Sequence, residues 1–253
     1  HLAAGAAHLQ PGDVVDLRPV LLVGLDIDLP GPPEEVEVVH IGRAKVGLQR
    51  VEDHPEGDPC PLGLHSVHFG VQLGNPGPEY DATRHNIGWW VVDRLSHDWR
   101  LGPFEKSGPA LVAGGVVGGH EVVLVKPITY MNRSGVALAP LRTDPDVDIA
   151  RDLLLVVDDV ALDVGRLRLR PSGGTGGHNG LKSVEAALGT QSYARLRVGV
   201  GLPPPGGDMV DWVLSEFDPE AEERVLALMP DLVGVVQDWL EEEIEAVMSR
   251  YNR

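Results

Sequence analysis

One apolar segment restricts the possible folds of this chain more than any other. Residues 153–157 read Leu-Leu-Leu-Val-Val without interruption, between Asp152 and Asp158. A strand with one face in solvent alternates apolar and polar residues, whereas a strand covered on both faces does not. The segment therefore predicts a central strand of a sheet that has helices on both sides.

Segments typical of strands and helices alternate around this strand. The predicted strands are residues 69–73, 111–117, 121–126, 165–170 and 195–201, and the predicted helices are residues 86–100, 135–141, 179–188 and one or two within 219–247. Gly118 and Gly119 separate two of the strands and predict a hairpin. The alternation predicts an α/β fold: a three-layer single domain with a mixed, mostly parallel central sheet flanked by helices.

The first 66 residues differ in composition from the rest of the chain. They contain no Met, Phe, Tyr or Trp, but they hold five of the ten histidines. Two interpretations remain: a small appended domain, or translated sequence upstream of the true start, which we favour. On either interpretation we expect residues 1–66 to be disordered or loosely attached.

The charge distribution and the apolar content bear on partners and location. The chain has 38 acidic and 21 basic side chains, a net charge of −17, which on average opposes nucleic-acid binding. Residues 71–215, however, hold 16 acidic and 14 basic side chains, so the acidity lies at the two ends. The lone cysteine, Cys60, excludes a disulfide framework and a cysteine-built metal site. Without a membrane-length apolar run or a signal-peptide pattern, the chain is predicted to be soluble and cytoplasmic, with no membrane partner.

Four segments carry polar residues where predicted strands end, which is where α/β proteins place their sites. The segments are Gly-Asn-Pro-Gly at 74–77 followed by Tyr80 and Thr-Arg-His-Asn at 83–86, Thr-Tyr-Met-Asn-Arg-Ser-Gly at 129–135, Val-Asp-Asp at 157–159, and Gly-Gly-His-Asn-Gly at 176–180.

In order and spacing, these segments resemble the motifs of the bacterial-type peptidyl-tRNA hydrolase family. The resemblance covers about residues 69–253 and implies a catalytic domain over residues 67–253. It implies an enzyme that hydrolyses the ester between a peptide and the 3′-terminal ribose of tRNA, releasing tRNA for reuse. The implied partner is the acceptor stem and 3′ end of peptidyl-tRNA, bound by a monomer, with no metal, no cofactor and no covalent intermediate.

The residue types suit a water-based ester hydrolysis. Histidine has an unperturbed pKa of about 6.5, near neutral pH, so His85 is the natural general base. Asp158 follows the apolar strand and can accept a hydrogen bond from the other ring nitrogen. Asp158 and Asp159 are adjacent, so their side chains point to opposite faces of a strand and only one of them can serve His85. The ungapped spacing back from Gly165 favours Asp158. A covalent role for Ser134 or Thr83 is disfavoured because the chain has no Gly-x-Ser-x-Gly elbow.

Neutral side chains are expected to bind the substrate around this base. The resemblance and the residue types indicate Asn75, Tyr80, Tyr130, Met131, Asn132 and Asn179. Asn132 is expected to stabilise the oxyanion or to hold the attacking water. Tyr130 and Met131 are expected to form the wall for the terminal adenine or the peptide backbone.

These residues also have simpler interpretations. Asn75 is equally typical of a turn, and Asn132 and Asn179 are typical helix N-caps. His85 alone is as consistent with a buried core histidine as with a base. We place His178 beside the site, as a support for its loop.

Basic side chains recur at every second position of the predicted strand 165–170. Period two places Arg166, Arg168 and Arg170 on one face, and Arg195 and Arg197 form a second alternating pair. The glycine-rich loop 173–177 and the helix after it add an anion-binding N-terminus. The resemblance matches Arg168, Arg170, Lys182 and Arg197 to positions that bind tRNA phosphates. The alternative is a solvated strand face.

Two other classes of function compete. A non-catalytic RNA-binding protein on the same fold is the main alternative, but a pure binder does not need the pair His85 and Asp158. A metal-dependent hydrolase is disfavoured because no His-Glu-x-x-His motif is present. Three positions depart from the family pattern. Gln72 is expected to crowd the turn that follows it, Leu202 replaces a common basic residue and removes one phosphate contact, and Val157 replaces a residue that is often polar.

Overall fold

A computed structural model describes residues 67–252, so the expectation for residues 1–66 lies outside the described residues. The strands are β1 (Val67–Gln72), β2 (Glu105–Ser107), β3 (Ala110–Val117), β4 (His120–Pro127), β5 (Leu153–Asp159), β6 (Leu167–Arg170) and β7 (Ala194–Gly199). The helices are α1 (Ile87–Trp99), α2 (Gly135–Leu138), α3 (Ile149–Asp152), α4 (Asn179–Leu188), α5 (Met209–Val213), α6 (Pro219–Glu241) and α7 (Ile244–Tyr251). Within residues 67–252, no helix has the length and apolar character needed to cross a bilayer.

The seven strands form one sheet in the order β2-β3-β4-β1-β5-β7-β6. The four central strands β4, β1, β5 and β7 are parallel. At one edge β3 runs antiparallel to both of its neighbours, β4 and β2, and at the other edge β6 runs antiparallel to β7. The predicted α/β fold with a mixed sheet is therefore confirmed, and the parallel pairings are confined to its centre.

Strand β5 is buried on both faces, as its apolar run predicts. Leu154 and Val156 belong to a core cluster with α1 and α6, whereas Leu155 and Val157 belong to a second cluster with α2 and α4. Successive side chains of a strand point to opposite faces, so each half of the run packs against a different helical layer. This accounts for the absence of polar residues between Leu153 and Val157.

A close approach at Gly180 brings the start of α4 against two strand ends. A Cβ atom at this position would lie 2.5 Å from Met131 Sδ and 2.8 Å from Leu73 Cδ1. Only glycine leaves room for both contacts. The residue that precedes α4 is thereby brought close to the loops that follow β1 and β4.

Gln72 does not crowd the turn in the way the sequence suggested. Its side chain is fully buried within the sheet. With the amide nitrogen oriented toward carbonyl oxygens, it donates to Gly70 O at 3.3 Å and to Val125 O at 3.1 Å. The long polar side chain is thus held by β1 itself and by the neighbouring β4.

Candidate active site

The carboxyl ends of β4, β1 and β5 meet at one edge of the sheet because these three strands are adjacent and parallel. Asn75 follows β1, Met131 and Asn132 follow β4, and Asp158 lies at the end of β5. Ligand sites of open α/β sheets occupy this edge. The topology therefore gathers polar residues from segments that are far apart in sequence.

Asn86 ties the turn after β1 to the turn that carries His85. The backbone amide of Asn75 donates to Asn86 Oδ1 at 2.8 Å, and Asn86 Nδ2 donates to the backbone carbonyl of Asn75 at 2.9 Å. The Asn86 side chain is fully buried. This reciprocal pair was not identified from the sequence, where Asn86 is simply the last residue of Thr-Arg-His-Asn.

The Asn75 side chain joins a second loop to the same point. Its Oδ1 accepts a hydrogen bond of 2.8 Å from the Met131 amide. Among residues 67–252, no group accepts a hydrogen bond from the side-chain nitrogen Nδ2 of Asn75, so this end of the side chain is available to another acceptor. Asn75 thus combines the turn position of the simpler interpretation with an orientation suited to binding.

His85 lies against the carboxylate of Asp158, which the spacing back from Gly165 favoured. His85 Nδ1 is 2.8 Å from Asp158 Oδ1, with side chains that are 11% and 3% exposed respectively. Asp159 points to the other face of β5, where its carboxylate faces Arg197. The structure therefore brings His85 and Asp158 together and leaves Asp159 with a separate partner.

His178 contacts the same carboxylate oxygen, which the sequence did not reveal. Its Nε2 is 2.9 Å from Asp158 Oδ1. Its Nδ1 accepts hydrogen bonds from the amides of Gly180 at 3.1 Å and Leu181 at 3.2 Å. His178 is therefore the N-cap of α4, and the interpretation of Asn179 as that cap is wrong. The only sequence signal was its position directly before the predicted helix.

These contacts determine where the ring protons lie. Burial alone would raise the pKa of Asp158, but the charges and hydrogen bonds of His85 and His178 hold that pKa well below its ordinary value. An ionised carboxylate accepts hydrogen bonds only, so the facing nitrogens, His85 Nδ1 and His178 Nε2, carry the protons. In a neutral ring the lone pair of His85 is then at Nε2, the atom that a general base uses.

The three side chains also form a candidate metal cluster, since one ligand atom from each of His85, Asp158 and His178 lies within 4.8 Å of the others. A metal ligand nitrogen must offer a lone pair. His178 Nδ1 already accepts two backbone amides, so the Nε2 that faces Asp158 carries a proton. Metal binding there would require loss of that proton or of the helix cap, and the donor set therefore does not suit a divalent cation.

The remaining predicted substrate-binding residues differ in exposure. Tyr130 is 62% exposed, and Asn132 and Asn179 are also exposed, whereas Met131 is buried. Asn132 lies within the turn Met131–Arg133 and caps no helix, so its interpretation as an N-cap is wrong. Tyr80 is half-buried and ends the turn Pro78–Tyr80, whose other two residues are exposed.

The predicted basic strand has the expected alternation over β6. Leu167 and Leu169 are buried, Arg168 is exposed and Arg170 is partly exposed, while Arg166 precedes the strand. On the next helix, Lys182 Nζ donates to Asn179 Oδ1 at 3.3 Å. Arg195 does not lie on this surface, because its side chain is buried.

Arg84, the residue before His85, binds a segment that is distant in sequence, residues 212–217. Its Nη1 donates to Ser215 O at 3.2 Å, to Ser215 Oγ at 2.7 Å and to Glu216 O. The guanidinium lies 3.7 Å from the centre of the Trp212 ring and 5.0 Å from that of Phe217. No local pattern predicts these contacts, because the partners are more than 125 residues away in the chain.

The chain is similar in sequence and in structure to known proteins of one family. The family model described as peptidyl-tRNA hydrolase matches residues 69–253. The peptidyl-tRNA hydrolase of Gemmatimonas aurantiaca is 43% identical over 186 residues, which cover 72% of this chain and 98% of that protein. That of Symbiobacterium thermophilum is 45% identical over 185 residues, with 72% and 97% covered. The crystal structure of peptidyl-tRNA hydrolase from Acinetobacter baumannii superposes with a TM-score of 0.67 at 29% identity and covers 75% of this chain and 97% of that chain.

Proposed function

Since this chain belongs to the peptidyl-tRNA hydrolase family, we propose that it hydrolyses the ester between a peptide and the 3′-terminal ribose of tRNA. The contact of 2.8 Å between His85 Nδ1 and Asp158 Oδ1, at the carboxyl edge of the sheet, supports this most directly. The products are a free peptide acid and a tRNA that returns to translation. We propose that the enzyme acts as a cytoplasmic monomer on the acceptor stem and 3′ end.

In the proposed mechanism, His85 activates a water molecule. His85 Nε2 takes a proton from the water while the water oxygen forms a bond to the acyl carbon of the ester. The ester C–O bond then breaks, and the ribose oxygen takes the proton from the imidazolium. Asp158 holds the ring in the required tautomer and stabilises its positive charge. A positioned base of this kind typically contributes about 10²–10⁴-fold in rate.

Neutral amides are proposed to stabilise the charge that develops on the acyl oxygen. Asn75 and Asn132 follow the ends of β1 and β4, and Asn179 begins α4, whose start lies against the residues that follow these two strands. Hydrogen-bond donors that are already in place favour the transition state over the ground state. In this arrangement Tyr80, Tyr130 and Met131 contact the terminal adenosine or the peptide backbone.

Water is a better candidate nucleophile than either nearby hydroxyl. Ser134 is fully buried, and its Oγ donates to Met131 O at 2.9 Å. Thr83 is also buried, and its Oγ1 donates to Tyr80 O at 2.7 Å. Both hydroxyls are engaged within the protein, so an acyl-enzyme on either would require the local structure to open.

The basic residues near β6 are proposed to bind tRNA phosphates. Arg168, Arg170 and Lys182 are at least partly exposed, and Arg197 lies beside them on β7. Phosphate contacts from Arg and Lys supply most of the salt-dependent affinity for nucleic acid. These residues would position the acceptor stem while the 3′ end reaches His85.

The decisive assay is release of free tRNA from an N-blocked aminoacyl-tRNA, with and without EDTA. The wild-type protein is expected to be active in both conditions, and His85→Ala is expected to lower kcat by about 10²–10⁴-fold. His97→Ala, which removes an exposed histidine from the end of α1, is the matched control and is expected to retain activity. Undiminished turnover by His85→Ala would remove the proposed base, and binding of tRNA without hydrolysis would favour a non-catalytic RNA-binding protein.

A further inference from the structure

Strands β6 and β7 place arginines directly opposite one another. Arg168 pairs with Arg197, and Arg170 pairs with Arg195, in the antiparallel register. Directly opposed residues share one face of a sheet, and like charges at such positions are destabilising. The two pairs therefore need groups that offset their positive charge.

Arg195 finds these groups within the protein. Its side chain is only 2% exposed, and it donates to Gly174 O at 3.1 Å and to Gln191 O at 3.2 Å. The guanidinium also lies 4.5 Å from the centre of the Tyr193 ring. Two carbonyl oxygens and the ring face contact this buried cation, although its Nε has no hydrogen-bond partner within residues 67–252. Arg195 therefore supports the glycine-rich loop and is not available to RNA.

Arg197 instead has an anionic partner. Its Nη2 is 2.8 Å from Asp159 Oδ2, with side chains that are 31% and 7% exposed respectively. Asp159 Oδ1 accepts a hydrogen bond of 3.0 Å from the Ala161 amide, which fixes the carboxylate at the end of β5. The cation is thus reachable from solvent while its partner stays in place.

We propose that Asp159 is an internal competitor for RNA phosphate: it holds Arg197 in the free protein, and a tRNA phosphate takes Arg197 from it. This proposal rests on the proposed function. Partly exposed ion pairs are weak, whereas an arginine can bind phosphate through two parallel hydrogen bonds, so exchange is favourable where a phosphate is well placed. A poorly placed phosphate does not displace the carboxylate. Asp159 therefore makes the contribution of Arg197 depend on correct docking of the RNA.

The test is the affinity for uncharged tRNA as a function of KCl concentration. Asp159→Asn keeps an oxygen for the Ala161 amide but removes the competing charge. It is expected to tighten binding and to steepen the slope of log K against log salt by up to about 0.9, the value for one phosphate contact. Asp163→Asn makes the same change of charge at an exposed position of the following turn. It controls for the general electrostatic effect of removing one negative charge on RNA binding.

Two further variants keep the proposal testable if Asp159→Asn folds poorly. Arg197→Gln is expected to flatten the slope, as is Arg168→Ala. Asp159→Asn combined with Arg197→Gln is expected to behave like Arg197→Gln alone. An unchanged slope for Arg197→Gln, or an Asp159→Asn that binds no better than Asp163→Asn, would make the pair a fixed structural contact and overturn the exchange. If that happens while the wild type still hydrolyses N-blocked aminoacyl-tRNA, the exchange alone is wrong. If the wild type neither binds nor hydrolyses it, the proposed function fails as well.

Discussion

At the scale of single residues, one oxygen of Asp158 organises the site. Asp158 Oδ1 accepts hydrogen bonds from both His85 and His178. The two rings are 5.1 Å apart between centroids, and each is oriented by the same carboxylate. A single charged atom therefore sets the tautomer of the proposed base and also joins it to the start of α4.

The low pKa of Asp158 leads to a prediction about pH dependence. Burial opposes ionisation, but the two histidines outweigh it and lower the pKa, so the carboxylate remains ionised at any pH at which the enzyme is active. Loss of activity on acidification is therefore expected to follow imidazole protonation, with kcat/KM falling about tenfold per pH unit below the midpoint. A pH profile of kcat/KM checks this. A rate that stays constant to well below the range in which imidazoles titrate would contradict a histidine base.

Asn86 offers a prediction about stability. Asn86→Ala leaves the buried amide and carbonyl of Asn75 without their partners. Each such group typically costs about 1–3 kcal/mol, so the free energy of unfolding is expected to fall by at least about 2 kcal/mol. Asn132→Ala removes an exposed amide and is the control for denaturant titration. Equal stability of the two variants would show that the pair contributes little.

At the scale of elements, the start of α4 links stability to the site. Asn179 begins this helix, and the His178 side chain caps it while also donating to Asp158. The helix can approach this closely because residue 180 is glycine. One side chain therefore satisfies helix amides and orients the carboxylate.

Two substitutions separate these roles of His178. His178→Ala removes both the cap and the bond to Asp158, and it is expected to lower stability by about 1 kcal/mol and to lower kcat. His178→Asn supplies a good N-cap but is too short to keep the bond to Asp158, so it is expected to restore stability and not kcat. Thermal unfolding and single-turnover rates distinguish the two effects. Recovery of kcat by His178→Asn would mean that the bond to Asp158 is dispensable.

At the scale of the whole molecule, the sheet separates the two kinds of charge. Leu167 and Leu169 of β6 pack in one cluster with Val225 and Leu232 of the acidic helix α6. Arg168 lies on the opposite face of β6. The acidic C-terminal helices therefore cover the face away from the arginines, so their negative charge lies away from the proposed RNA surface.

Residues 1–66 are predicted to be dispensable for catalysis. The family match begins at residue 69, and relatives are covered almost to their full length by 72% of this chain. Deletion of residues 1–66 is expected to leave kcat, KM and the unfolding midpoint unchanged, as measured beside the full chain. A large loss of turnover or of stability would identify the segment as a domain that the enzyme needs.

Local patterns determined much of this protein. The apolar run at 153–157 indicated a doubly covered strand, and strand alternation indicated that only one of Asp158 and Asp159 can face His85, because both depend only on neighbouring residues. Sheet order and helix packing decided the rest. The second histidine on Asp158, the Asn75–Asn86 pair, the burial of Arg195 and the partner of Arg197 each join segments whose proximity follows from which strands are adjacent. Such contacts depend on the path of the whole chain, so no single segment carries a signal for them.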